Sequence, residues 1–236
     1  MSRSDPPDGS ADPGRPDTRI AGARYGRYLV ILAAIALVAI TVNTALTPPN
    51  GAKGIPSGER VPPFAAPLAL GTLPGDVNVA THPYEGGAGR RPACTVRGTQ
   101  ILNVCQLYEQ GPLVLALFVD GGSCADILRD MQVLVPSFPE VRFAAVAIKG
   151  DTGALRRLVR SRGLTFPVGI DRDGILAGLY KLSTCPQVTF AYPGGVVQSA
   201  ALLSRPPLAT LRARVTALLA ASRARGWRPA QTRGGA

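Results

Sequence analysis

Apolar residues fall into three patterns along this chain, and each pattern predicts a different kind of element. The first is an uninterrupted run. Between Arg27 and Lys53 there is no charged residue, and inside that gap Leu29–Thr47 reads LVILAAIALVAITVNTALT. As a helix rising roughly 1.5 Å per residue this stretch spans about 28 Å, against a hydrocarbon core of about 30 Å. Its polar residues Thr41, Asn43, Thr44 and Thr47 gather at the downstream end, and Pro48-Pro49 stops it. The pattern predicts a transmembrane helix over 29–47.

The second pattern is the short continuous run of a strand buried on both faces. Leu113–Val119 (LVLALFV) and Val141–Ile148 (VRFAAVAI) have this form. The third is helical spacing. Ile127, Leu128, Met131 and Leu134 share one face before Pro136. Leu155, Leu158 and Val159 face inward on the next helix while Arg156, Arg157 and Arg160 face outward. Asp151 or Thr152 is placed to cap it, and Gly163 to end it. Phe166–Ile170 then leads into the turn Asp171-Arg-Asp-Gly174 and a short helix around Ile175–Tyr180. Val188–Tyr192 and Val196-Val197 flank Pro193-Gly194-Gly195 as an antiparallel hairpin. A last helix after Pro206-Pro207 carries Leu208, Leu211, Val215, Leu218 and Leu219 inward.

The order β-α-β-α-β-β-α predicts a mixed sheet between helices, with a right-handed crossover joining its parallel strands. Upstream, Val61–Gln110 reads as short apolar pieces broken by turns. They include Asn78-Val79-Ala80, a glycine-rich loop over 82–91, and a hairpin from Cys94 to Cys105 turning near Gly98-Thr99. The organisation that follows is a disordered cytoplasmic tail (1–28), the span (29–47), a Pro/Gly linker (48–62), a folded domain (63–222) and a basic flexible tail (223–236).

Charge orients this plan. Arg3, Arg15, Arg19, Arg24 and Arg27 precede the span, whereas only Lys53 and Arg60 follow closely. The positive-inside rule puts the N-terminus in the cytoplasm and the domain outside a single-pass plasma-membrane anchor. A cleaved signal peptide is the competing pattern. The long Pro/Asp-rich leader and the poor cleavage site at Asn43-Thr44-Ala45 fit it less well, and either pattern exports the domain. The formal net charge is +11, from 26 Lys+Arg against 15 Asp+Glu. An exported chain of this charge is not expected to meet nucleic acid, and aromatics at 6% offer no base-stacking surface. The dispersed arginines read as a solvated face; attraction to anionic lipid or cell-wall polymer is the functional alternative.

All four cysteines, Cys94, Cys105, Cys124 and Cys185, lie beyond the span, where disulfides persist. Cys94 and Cys105 are most simply a structural bridge across the predicted hairpin. A two-residue turn at Gly98-Thr99 would pair 94 with 103, so bridging 94 to 105 asks for a longer loop or a bulge. Cys124 follows Asp120-Gly-Gly-Ser123 at a helix start, where unpaired amides and the macrodipole favour a thiolate. Ser123 or Gly122 is placed to cap that turn. Asp120 and Asp126 oppose the thiolate, and no Lys or Arg lies beside it in sequence. Asp171 and Asp173 read as turn and cap residues rather than a metal or acid–base pair, and His82 reads as a solvent-facing loop residue.

The segments FPVGIDRDG (166–174) and LYKLSTCPQVTFAYPGG (179–195) carry a family resemblance. The ordered series Phe-Pro-Val, Asp-x-Asp-Gly, Tyr, then x-Pro-x-x-x-Phe is similar to the redoxin (AhpC/TSA) branch of thioredoxin-like proteins. The resemblance covers roughly 61–222, the size of one such domain with its extensions. It implies an α/β thioredoxin-like fold with an N-terminal β-hairpin extension. It also implies a cis peptide at Pro186, with Thr184 and Pro186 in the substrate-facing loop. In that fold the residue before the cis-Pro faces the helix-start cysteine, so Cys185 stands as the partner of Cys124.

The chain departs from the subfamily motifs. Gly121 and Ile127 stand where a Cys-x-x-Cys would need its second cysteine. Leu117 and Gly121 stand where a peroxidatic site wants Pro and Thr, and the only His, His82, precedes Cys124. No cofactor or metal is implied. Two functions of different class follow. The first is an extracytoplasmic, membrane-tethered thiol–disulfide oxidoreductase or thiol antioxidant, using Cys124 and Cys185 on exported thiol or disulfide proteins or a small oxidant. The second is a non-catalytic interaction module whose cysteines are locked in structural disulfides.

Overall fold

The computed structural model describes residues 26, 28–38, 54–73, 78–79, 91–119 and 121–229. The chain divides into two units, Met1–Asn50 and Gly51–Ala236. In the first, residues 28–38 are helical, with Leu29, Val30, Leu32, Ile35 and Val38 exposed along it. Among the described residues no helix is long and apolar enough to cross a membrane. Of the predicted span, positions 39–47 lie outside the described residues, as do His82 and Asp120.

The second unit is built around strand β4 (Leu113–Val119). Its continuous apolar run follows from burial on both faces. Val114, Ala116 and Phe118 enter one core and Leu113, Leu115 and Leu117 the other. β5 (Arg142–Ile148) and β6 (Val168–Asp171) extend the sheet in parallel on one side; β7 (Gln187–Ala191) and β8 (Val197–Leu202) extend it antiparallel on the other. The order is β6-β5-β4-β7-β8. Helices α2 (Ile127–Leu134), α3 (Thr152–Ser161) and α5 (Leu208–Ala224) cover the first face. The other face is covered by α1 (Val104–Gln110), α4 (Ile175–Leu179) and a small antiparallel sheet. That small sheet runs β2 (Asn78–Val79), β1 (Phe64–Pro67), β3 (Ile101–Asn103).

Local chemistry explains the boundaries. Asp151 Oδ1 accepts from the Ala154 amide at 2.7 Å and starts α3. Asp171 is fully buried, and its carboxylate accepts the amides of Gly174, Ile175 and Leu176, so it folds the turn into α4.

The structure corrects several expectations. The hairpin from Cys94 to Cys105 is absent: Cys94 sits in a single 3-10 turn (Ala93–Thr95) and Cys105 in the first turn of α1. Asn103 is the cause. Its Oδ1 accepts from the Gln106 amide, starting α1, while its Nδ2 donates to the carbonyls of Ala93 and Val96, so β3 pairs with β1 instead of residues 94–96. The linker 48–62 is laid down from residue 54 onward, with Gly58 N donating to Val197 O and Val61 N to Gly195 O. The basic tail is ordered to residue 229. Arg225 stacks 4.1 Å over the Tyr192 ring, and Arg223 pairs with Glu140 at 2.6 Å. Arg156 is half-buried rather than turned fully outward; its guanidinium donates to the carbonyls of Ala69 and Gly71 and ties α3 to the segment after β1. Leu208 stays exposed at the start of α5.

Candidate redox site

The pairing of β4 with β7 builds the site. Their antiparallel register ends with Leu117 opposite Gln187, and beyond it the Val119 N–H reaches Cys185 Sγ at 3.1 Å. After β4 the chain turns through Gly121 and Gly122, with φ of +115° and +58°, values that favour glycine. A 3-10 turn (Gly122–Asp126) then brings Cys124 back over the end of the strand. The two cysteines form a disulfide with Cα atoms 5.4 Å apart, and the Cys185–Pro186 peptide bond is cis. Both residues are half-buried, packed against the first core.

Four features of this site were not foreseen. Gly121 occupies the N-cap position and no side chain caps the turn, so neither Ser123 nor Gly122 plays that part. Cys124 stands two residues before the N-cap of α2, Asp126, and not within the α-helix. The only donor to either sulfur among the described residues is the backbone N–H of Val119, 3.1 Å from Cys185 Sγ and 3.5 Å from Cys124 Sγ.

The fourth feature is electrostatic. Asp126, expected to repel a thiolate, faces Arg162 at 3.1 Å, Arg205 at 3.6 Å and Arg129 at 3.8 Å. Arg162 also donates to the carbonyl of Ala125, the residue after Cys124, and so fastens the cysteine-bearing turn. Arg205 forks onto buried Asp130 at 2.7 and 3.0 Å, and that hydrogen bond raises the Arg205 pKa. Sequence separation hid this cluster: Arg162 lies 36 residues from Asp126 and Arg205 lies 75 from Asp130.

The remaining predicted positions divide. Thr184 is exposed and its hydroxyl donates to Leu203 O, which ties the loop before β7 to the end of β8; Pro186 is buried. Cys94 and Cys105 form the second disulfide, Cα atoms 5.3 Å apart, in the opposite core. Cys105 is fully buried. Tyr108 Oη lies 3.8 Å from Cys94 Sγ, and burial raises the Tyr108 pKa against the opposing field of Arg60. Tyr180 is fully buried, donates to Pro62 O at 2.8 Å, and has its pKa pushed well up by desolvation.

A scan of protein-family models and a search of curated proteins return no match. Solved structures do match. A chain from Chlorobium tepidum assigned as a thiol:disulfide interchange protein DsbE superposes with a TM-score of 0.53 at 16% identity, over 70% of this chain and 99% of that one. The thioredoxin domain of a thiol-disulfide oxidoreductase from Bacteroides vulgatus gives 0.51 at 9% identity, over 70% and 99%. An uncharacterized conserved protein from Geobacillus kaustophilus gives 0.52 at 16%, over 75% and 86%. At these identities the likeness defines the fold. It is a thioredoxin-like α/β fold with a mixed central sheet and flanking helices.

Proposed function

We propose that this chain is an extracytoplasmic, membrane-tethered thiol–disulfide oxidoreductase whose working pair is Cys124–Cys185. The observation that carries the reading is the half-exposed Cys124–Cys185 disulfide at the carboxyl end of β4, the edge at which open α/β sheets bind their ligands. Access and a thiolate-stabilising donor are what exchange requires, and both sulfurs have the Val119 N–H within reach. The neighbours assigned to thiol–disulfide chemistry share the fold and support the same class.

The chemistry is two exchange steps. A substrate thiolate attacks one sulfur and the other leaves with the electron pair; a second substrate thiol then displaces the first sulfur. Two substrate thiols become a disulfide and the pair becomes two thiols. Run in reverse, the chain reduces a disulfide. Exported thiol or disulfide proteins and small oxidants are the substrate class. The tether rests on the charge-free stretch 28–52, on the five arginines before it, and on the exposed apolar helix over 28–38.

Two experiments test this. A dithiol peptide mixed with the oxidised full-length chain should be converted to its disulfide while Cys124–Cys185 is reduced, read by alkylation and mass. A chain that leaves the peptide reduced is the non-catalytic module instead. A reporter fused after Arg60 should be exported and remain with membranes; recovery as a shortened soluble species rejects the tether.

A further inference from the structure

The two sulfurs of the Cys124–Cys185 bridge are not equivalent, and we propose that the Val119 backbone N–H makes Cys185 the leaving thiolate and Cys124 the attacked sulfur. This rests on the oxidoreductase reading. The amide is 3.1 Å from Cys185 Sγ and 3.5 Å from Cys124 Sγ, and among the described residues it is the only donor to either.

The placement follows from the sheet. At position 119 the ladder with β7 has ended, its last pair being Leu117 with Gln187. The Val119 amide lies beyond that ladder, and its N–H is aimed at the two sulfurs. The donor belongs to a strand whose preceding residues are fully buried and paired on both sides, so it is fixed before the reaction begins. A preset donor aimed at the atom where charge develops stabilises that charge without reorganisation. In thiol–disulfide exchange the better-stabilised thiolate leaves faster.

The step balances. An incoming thiolate forms a bond to Cys124 Sγ, the Cys124–Cys185 bond breaks, and its electron pair goes to Cys185 Sγ, which accepts the Val119 N–H. In the reverse direction the same thiolate attacks Cys124 Sγ and expels the substrate thiolate. The helix-start position of Cys124 does not supply a rival donor, since no amide of the 122–126 turn bonds its sulfur. Val119 is thus a residue that acts through its backbone alone, and no side-chain motif announces it.

The test removes the one donor. An α-hydroxy acid with the valine side chain, placed at position 119 of the full-length chain by nonsense suppression, replaces the amide by an ester. In a Cys124→Ser background the thiolate fraction of Cys185 at pH 7, read by its ultraviolet absorbance, should fall about tenfold or more when the N–H is lost, the scale of a hydrogen bond to a charged group. In a Cys185→Ser background the Cys124 thiolate should change by less. An equal effect on both thiols, or none on Cys185, overturns the assignment. Independently, reduced glutathione added to the oxidised chain and quenched early should be found on Cys124. Adducts mainly on Cys185 overturn it as well. Failure of the wider reading looks different: a bridge that glutathione and the dithiol peptide leave closed ends the exchange mechanism whatever the two thiolate titrations show, and with it the leaving-group role.

Discussion

The two disulfides of this chain join cysteines at nearly the same Cα separation, 5.3 and 5.4 Å, in opposite cores. Cys94–Cys105 lies where α1 packs on the small sheet, with Cys105 fully buried and Tyr108 beside it. Cys124–Cys185 lies at an end of the central sheet, half-exposed, with a backbone donor on its sulfurs and three arginines around the adjacent Asp126. Attack on a disulfide needs access and a stabilised leaving group. The Cys124–Cys185 bridge is half-exposed at both ends and has a preset backbone donor, whereas the Cys94–Cys105 bridge is half-buried at Cys94 and fully buried at Cys105. On the proposed function, what makes one bridge a staple and the other a working bond is their surroundings.

The sharpest way to break this contrast is to remove the bridges separately. Cys124→Ser or Cys185→Ser should reduce exchange with a dithiol peptide to background while circular dichroism stays native. The Cys94→Ala/Cys105→Ala double variant should retain that exchange. It should instead lose stability of about 3 kcal/mol on the loop-entropy argument, a fall in Tm of roughly 10 °C for a domain of this size. Exchange lost in the double variant with the fold intact would reverse the roles.

Alkaline pH examines the staple side. Tyr180 is buried there with its pKa raised well above the usual 10.0. Below pH 10 the phenol is protonated both folded and unfolded and contributes no slope. Above it the unfolded chain ionises first, the folded chain binds more protons, and stability falls as pH rises. Tyr180→Phe should remove most of that slope in urea titrations above pH 10, leaving the part due to Tyr108, whose pKa is also raised. It should cost about 1 kcal/mol at pH 7 through the lost bond to Pro62. A slope that the substitution leaves unchanged assigns alkaline sensitivity to another group.

The smallest expected effect is on the working side. Arg162→Met removes one cation from Asp126 and the tie to Ala125. The carboxylate two residues from Cys124 is then less compensated, and opening of the bridge should slow by about fivefold or less, the range of partly exposed ion pairs. Asp126→Asn in the same background should restore the rate.

Much of this contrast was legible before any coordinates. β4 is readable because burial on both faces writes an unbroken apolar run, and the helix faces because Ile127, Leu128, Met131 and Leu134 repeat at helical spacing. The Cys124–Cys185 contact followed from family resemblance around Pro186, not from local pattern. The hairpin expected between Cys94 and Cys105 failed because one side chain, Asn103, both caps α1 and holds the 93–96 turn. Periodicity carries no trace of a side-chain amide's choice of carbonyls. The arginine cluster and the Val119 donor were invisible for a related reason. The cluster joins residues far apart in the chain, and the donor is a main-chain group that every residue except proline possesses.

The most direct measurement of the central claim is the reduction potential of each bridge in the same full-length chain. It is obtained by equilibration in dithiol redox buffers, alkylation and mass mapping. Redox-active pairs lie between about −120 and −270 mV, and structural disulfides below about −300 mV. The account predicts Cys124–Cys185 in the first range and Cys94–Cys105 in the second. Both bridges below about −300 mV would contradict it and leave a thioredoxin-like module held together by two staples.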